Sequence, residues 1–123
     1  SMGGLATRAW LARDPAGNAA RVHRVVTIGT PHRGTWLARF ARVANGREMR
    51  MQSEWLQALG STETDALRAR FVCYWSDCDN IVFPSANATL PGADNRRVTG
   101  WAHVHLVEHP AIRAAVLEAL RAP

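Results

Sequence analysis

Apolar and polar positions along this chain fall into short blocks whose period switches between helical and extended. Leu5–Ala12 is rich in alanine and leucine and predicts a helix, stopped by the breaker Asp14-Pro15-Ala16-Gly17-Asn18. Val22–Ile28 (VHRVVTI) is a β-branched run bounded by Gly29-Thr30-Pro31, which predicts a strand. Its nearly continuous apolar character suits a parallel sheet covered on both faces. From Trp36 to Leu67 the pattern is helical but broken. Trp36, Leu37, Phe40 and Val43 fit one apolar stripe and Met51, Trp55, Leu56 and Leu59 another, with Asn45-Gly46 between them. Phe71–Trp75 (FVCYW) predicts a second buried strand, ending in the polar turn Ser76-Asp77-Cys78-Asp79-Asn80. A short strand is expected at Arg97–Thr99, and a closing helix starts at Pro110, a residue suited to a first helical position.

Strands alternating with helices predict an α/β fold with a mostly parallel sheet and flanking helices. The length of 123 residues suits one domain, 1–123. Three strands make a thin sheet, however. If the first helix follows a strand that precedes Ser1, the centre of the sheet lies outside this sequence.

Composition narrows the class. An apolar fraction of 47% and a charged fraction of 20% are those of a globular domain. No run reaches the roughly 18 apolar residues of a membrane span. The net charge is +5 and every basic residue is arginine, but the arginines are scattered without aromatic interleaving, so a nucleic-acid partner is not expected. Cys73 and Cys78 lack the spacing and histidine partners of a zinc site, and no metal or other cofactor is expected. A disulfide between them and two free thiols both remain open.

Chemistry in an open α/β sheet gathers at the carboxyl ends of its strands. Three residues stand there: Ser1 before the first helix, Asp79 after the Phe71–Trp75 strand, and His103 after Arg97–Thr99. A hydroxyl, an imidazole and a carboxylate are what acyl transfer needs: a nucleophile, a base, and a group that holds the base's tautomer. Asp77 competes with Asp79, and His105 and His109 compete with His103. His109, before Pro110, reads as a helix entry. The losing aspartate is expected to cap its own turn. His32 has two readings, a residue facing the site or simply a polar loop residue, and is not expected to be catalytic; His23 reads as structural within its strand. Ser1 itself has two readings, a nucleophile or an accidental residue before a start at Met2.

Four stretches, in order, resemble the lipase/esterase-like α/β-hydrolases. They are Ser1-Met2-Gly3-Gly4 (nucleophile elbow), Val25–Gly34 (strand and GTPH-x-G loop), Asp79–Pro84 (D-x-I-V-x-P acid turn) and Gly100-Trp101-Ala102-His103 (histidine loop). The resemblance implies the C-terminal half of that fold, cut at its nucleophile, with the N-terminal half as a missing partner. It implies a serine hydrolase of carboxylic, lipid or acyl esters that works without a cofactor. Ser1, His103 and Asp79 would be catalytic and the Met2 amide an oxyanion donor, while the second donor would come from an earlier loop. Residues 36–67 lie where such enzymes carry a lid or cap, and Trp36, Phe40, Met51 and Trp55 are expected to line an acyl pocket, at a lipid or membrane interface if the substrate is a lipid. Packing on the sheet is the alternative for this segment. Two other readings stay open: hydrolysis with the Ser1 α-amine as base, and an inactive fragment or binding module that needs an N-terminal partner.

Overall fold

The computed structural model describes residues 1–40 and 44–121, with backbone alone at 44 and 45. Val43, expected in the first apolar stripe, lies outside the described residues. Helices α1 (Gly3–Arg13) and α2 (Pro15–Ala20) precede strand β1 (Val25–Ile28). A 3₁₀ turn at Trp36–Phe40, then α3 (Ala44–Glu48), α4 (Glu54–Thr62) and α5 (Asp65–Arg68), lead to β2 (Phe71–Ser76). A 3₁₀ turn at Ser85–Ala88, β3 (Asp94–Val98), a 3₁₀ segment at His103–Glu108 and α6 (Pro110–Arg121) complete the order. Among the described residues the strands form one parallel sheet in the order β1-β2-β3, with Val25 opposite Phe71 and Val72 opposite Asp94. The fold is therefore α/β. No described helix is long and apolar enough to cross a membrane.

Side chains alternate across a strand, so the central β2 builds two cores. Phe71 and Cys73 pack with Leu11, Val25, Leu67 and Leu90 on one face. Val72 and Tyr74 pack with Leu106 and Ile112 on the other. The FVCYW run is continuous because both faces are covered, each large apolar side chain contributing about 1.5–3 kcal/mol by burial. Helices α4 and α5 start where a hydroxyl takes an orphan amide: Ser53 Oγ accepts from Leu56 N at 3.2 Å, and Thr64 Oγ1 from Leu67 N at 3.1 Å.

Four expectations are corrected. The Asp14–Asn18 breaker does end α1, but it starts α2 as well, because Asp14 Oδ1 accepts from Gly17 N at 3.1 Å and Pro15 sits at the first helical position. Strand β1 begins at Val25, not Val22; His23 and Arg24 are exposed outside it, so His23 is no strand residue. Asn45 and Gly46 fall inside α3 instead of between helices. The third strand is Asp94–Val98, since the ladder with Val72–Ser76 runs over polar residues that an apolar pattern cannot mark. Both cysteines are free thiols, Cys73 buried and Cys78 exposed.

Candidate active site

The acid turn grows directly out of β2. Asp79 N donates to Ser76 O at 3.2 Å and Cys78 N to Ser76 Oγ at 3.1 Å, which curls the chain back at the strand end. Asp79 Oδ1 then accepts from the amides of Ile81 and Val82, both at 2.8 Å, so the carboxylate organises the loop that carries it. The loop after β1 clamps the far side. Thr35 Oγ1 donates to Ile81 O at 2.7 Å and accepts from Phe83 N at 3.0 Å.

The histidine loop is tied to this turn three times. Ser76 Oγ donates to Trp101 O, Asp77 Oδ1 accepts from Gly100 N at 3.1 Å, and Asn80 Oδ1 accepts from His103 N at 3.1 Å. Gly100 carries φ +84°, a left-handed conformation that glycine adopts without strain. His103 Nδ1 consequently meets Asp79 at 2.9 Å from Oδ2 and 3.1 Å from Oδ1. The Asp79 side chain is fully buried and that of His103 is 11% exposed. A carboxylate only accepts, so Nδ1 carries a hydrogen, and in the neutral ring Nε2 presents the lone pair. Gly29 lies against the ring: a Cβ there would sit 3.1 Å from His103 Cε1.

Ser1 and His103 line one open cleft of about 400 Å³, together with Gly3, Gly4 and Thr30. The Ser1 main-chain nitrogen donates to Ile28 O at 2.9 Å, which sets this residue at the carboxyl end of β1. The Ser1 hydroxyl makes no hydrogen bond to His103 among the described residues; such bonds are often long in unliganded sites. The Met2 amide likewise has no partner among them, standing at the start of α1 where helix donors are orphaned. Gly4 permits this entry, because a Cβ there would fall 2.3 Å from Thr30 Oγ1.

The rival residues have other tasks. Asp77 caps Gly100 across the loop, not its own turn, and that bond lowers its carboxyl pKa. His105 is exposed. His109 packs on Trp101 and accepts from Ala111 N at 3.1 Å, as a helix entry should. His32 is buried, its Nε2 3.0 Å from Thr27 Oγ1 and 3.6 Å from Cys73 Sγ. Burial, reinforced by the charge of Arg8, pushes its pKa down to about 3. Burial pushes the Cys73 thiol up, so it is no activated nucleophile.

The four expected pocket residues separate. Trp55 lines an apolar groove of about 320 Å³ with Met2, Leu5 and Met49, and this groove shares Gly3 with the Ser1 cleft. Met51 lines a different cavity. Trp36 and Phe40 pack edge to face on each other, centroids 5.6 Å apart, beneath the Arg39 guanidinium. Within residues 36–67, Leu56, Leu59 and Leu67 are buried, whereas Trp36 and Phe40 are exposed.

Sequence reasoning missed Asn80 and Thr35, whose only signal was a turn composition. It also missed the buried pair Arg8–Glu63, with Nη2–Oε1 at 2.6 Å and Nε–Oε2 at 2.7 Å. Among the described residues no group of three His, Cys, Asp or Glu could hold a metal ion. No family model matches the chain, and no match was found among curated proteins or solved structures, so the chemistry has to be argued from the side chains.

Proposed function

We propose that this chain is the C-terminal part of a lipase/esterase-like α/β-hydrolase and carries the triad of a serine hydrolase of carboxylic esters. The observation that carries the reading is the Asp79-bound Nδ1 of His103, whose Nε2 is left to act as base in a ring that lines the same cleft as Ser1. Ser1 Oγ attacks the ester carbonyl while His103 Nε2 takes its proton. The tetrahedral oxyanion accepts from the Met2 amide at the positive end of α1. His103 then protonates the leaving alkoxide, and water activated by the same nitrogen releases the acid from the acyl-serine. The groove lined by Met2, Met49 and Trp55 receives the acyl chain. Residues 36–67 act as a cap, with Trp36 and Phe40 facing a lipid substrate or its interface.

The second oxyanion donor belongs to an N-terminal half that pairs with β1. Without such a donor the rate falls by about 10²–10³. The test is labelling by an alkyl fluorophosphonate, run on the chain and on the product of its reading frame upstream of Ser1. Label on Ser1, abolished by Ser1→Ala and His103→Ala, is the expected result. Asp79→Asn should slow ester hydrolysis by about 10⁴, because the amide reverses the histidine tautomer. Labelling that survives His103→Ala would favour the Ser1 α-amine as base. A folded, unlabelled upstream-extended protein would reduce the chain to an inactive hydrolase relative.

A further inference from the structure

A second cavity, of about 390 Å³, shares no lining residue with the Ser1 cleft. Arg8, Arg33 and Arg68 line it, and none of its lining residues is acidic. The nearest compensating charge is Glu63, which binds Arg8 through two hydrogen bonds and Arg68 Nη2 at 3.1 Å. Two guanidinium groups thus share one carboxylate, and Arg33, the third, is not among its partners. Arg33 is exposed, and its guanidinium binds the Asn87 amide oxygen at 3.3 Å.

Two buried polar atoms on lining residues have no hydrogen-bond partner among the described residues: His32 Nδ1 and Arg68 Nε. His32 is only 2% exposed and its other nitrogen is engaged by Thr27 within the fold. Buried polar groups are almost always satisfied, and a buried guanidinium N–H can be satisfied only by an acceptor. The ring is neutral, since its pKa is about 3. In the tautomer whose Nε2 accepts the Thr27 hydroxyl proton, Nδ1–H is a donor. Guanidinium forks suit phosphate oxygens, and the excess of positive charge suits a dianion. Met51, Leu56 and Leu90 add an apolar wall that fits a non-polar substituent.

We propose that this cavity is a phosphate-binding site, occupied by free phosphate or by a phosphate monoester, in which Arg68 Nε, His32 Nδ1 and Arg33 receive the phosphate oxygens. The site stands independently of the hydrolase reading. It is tested by titrating the isotope-labelled chain with inorganic phosphate, phenyl phosphate and acetate, observing the Arg68 Nε–H and His32 ring resonances. Saturable shifts of both signals by phosphate but not acetate are expected. Tighter binding of phenyl phosphate would assign the site to an organic monoester; equal binding would assign it to free phosphate. Arg33→Gln should weaken binding by about tenfold, the loss of one charge-assisted bond. Its exposed position leaves the fold intact, which near-ultraviolet circular dichroism checks. Arg68→Met should abolish binding. Unmoved resonances at millimolar phosphate, or affinity unchanged in Arg33→Gln, would overturn the proposal and leave a water-filled cavity.

Discussion

His32 and His103 show how one residue type takes opposite roles through its surroundings. His103 keeps a carboxylate at one nitrogen and a cleft at the other. His32 is enclosed near Arg8, with no acidic partner, so burial drives it neutral at a pKa of about 3 against an ordinary 6.5. This has a sign for stability. Between pH 6.5 and 3 the unfolded chain binds a proton at this ring that the folded chain refuses, so stability falls as pH falls across that window. The slope from this group approaches about 1.4 kcal/mol per pH unit. The charges of Arg8 and Arg68 add to burial in opposing protonation of this ring. Urea midpoints between pH 7 and 4 should decline more steeply for the wild-type chain than for His32→Asn. Parallel declines would show that His32 does not set the acid sensitivity.

At the level of elements, helix α1 is held against the loop after β1 by the absence of a side chain. A Cβ at Gly4 would meet Thr30 Oγ1, Cγ2 and Cβ at 2.3, 2.6 and 2.8 Å, whereas one at Gly3 would meet nothing within 4 Å. Adjacent glycines should therefore respond in opposite directions. Gly4→Ala should destabilise by about 1–3 kcal/mol through overpacking. Gly3→Ala should stabilise by about 0.4–1 kcal/mol by restricting the unfolded chain. Chemical denaturation of the two variants measures both, and a Gly4→Ala variant as stable as wild type would mean that α1 docks loosely.

Across the whole molecule the two edges of the sheet differ. β3 ends the sheet with Asp94, Asn95, Arg96 and Arg97, and Arg96 binds Asp94 at 2.7 Å, so this edge is charged and resists pairing. β1, with Val25, Val26, Thr27 and Ile28, has no charged residue to protect its edge. Near it, Val107 and Leu117 border an apolar hollow with Ile28, and Leu120 is 78% exposed. An N-terminal half pairing with β1 would cover this surface. Alone, the chain should self-associate in analytical ultracentrifugation at submillimolar concentration and bind a hydrophobic dye. Leu117→Glu with Leu120→Glu, or co-expression with the upstream segment, should reduce both. A dye-free monomer would remove the argument for a covering partner.

The alternation of helices and strands, the FVCYW strand and the places of Asp79 and His103 after successive strands were legible in the sequence by itself. Each rests on local signals: the period of apolar residues, proline and glycine punctuation, and capping side chains. What depends on distant pairing was decided only in three dimensions. Strand β3 is polar and exists because it pairs with β2. Asp79 reaches His103 across 24 residues, while Asp77, two positions earlier, turns to Gly100. Arg8 finds Glu63 across 55 residues, and His32 and Met51 border the arginine-lined cavity, not the cleft of Ser1. Local sequence sets which backbone conformations are cheap. Which side chains then share a cavity, and with what charge and protonation, depends on how the layers close over one another.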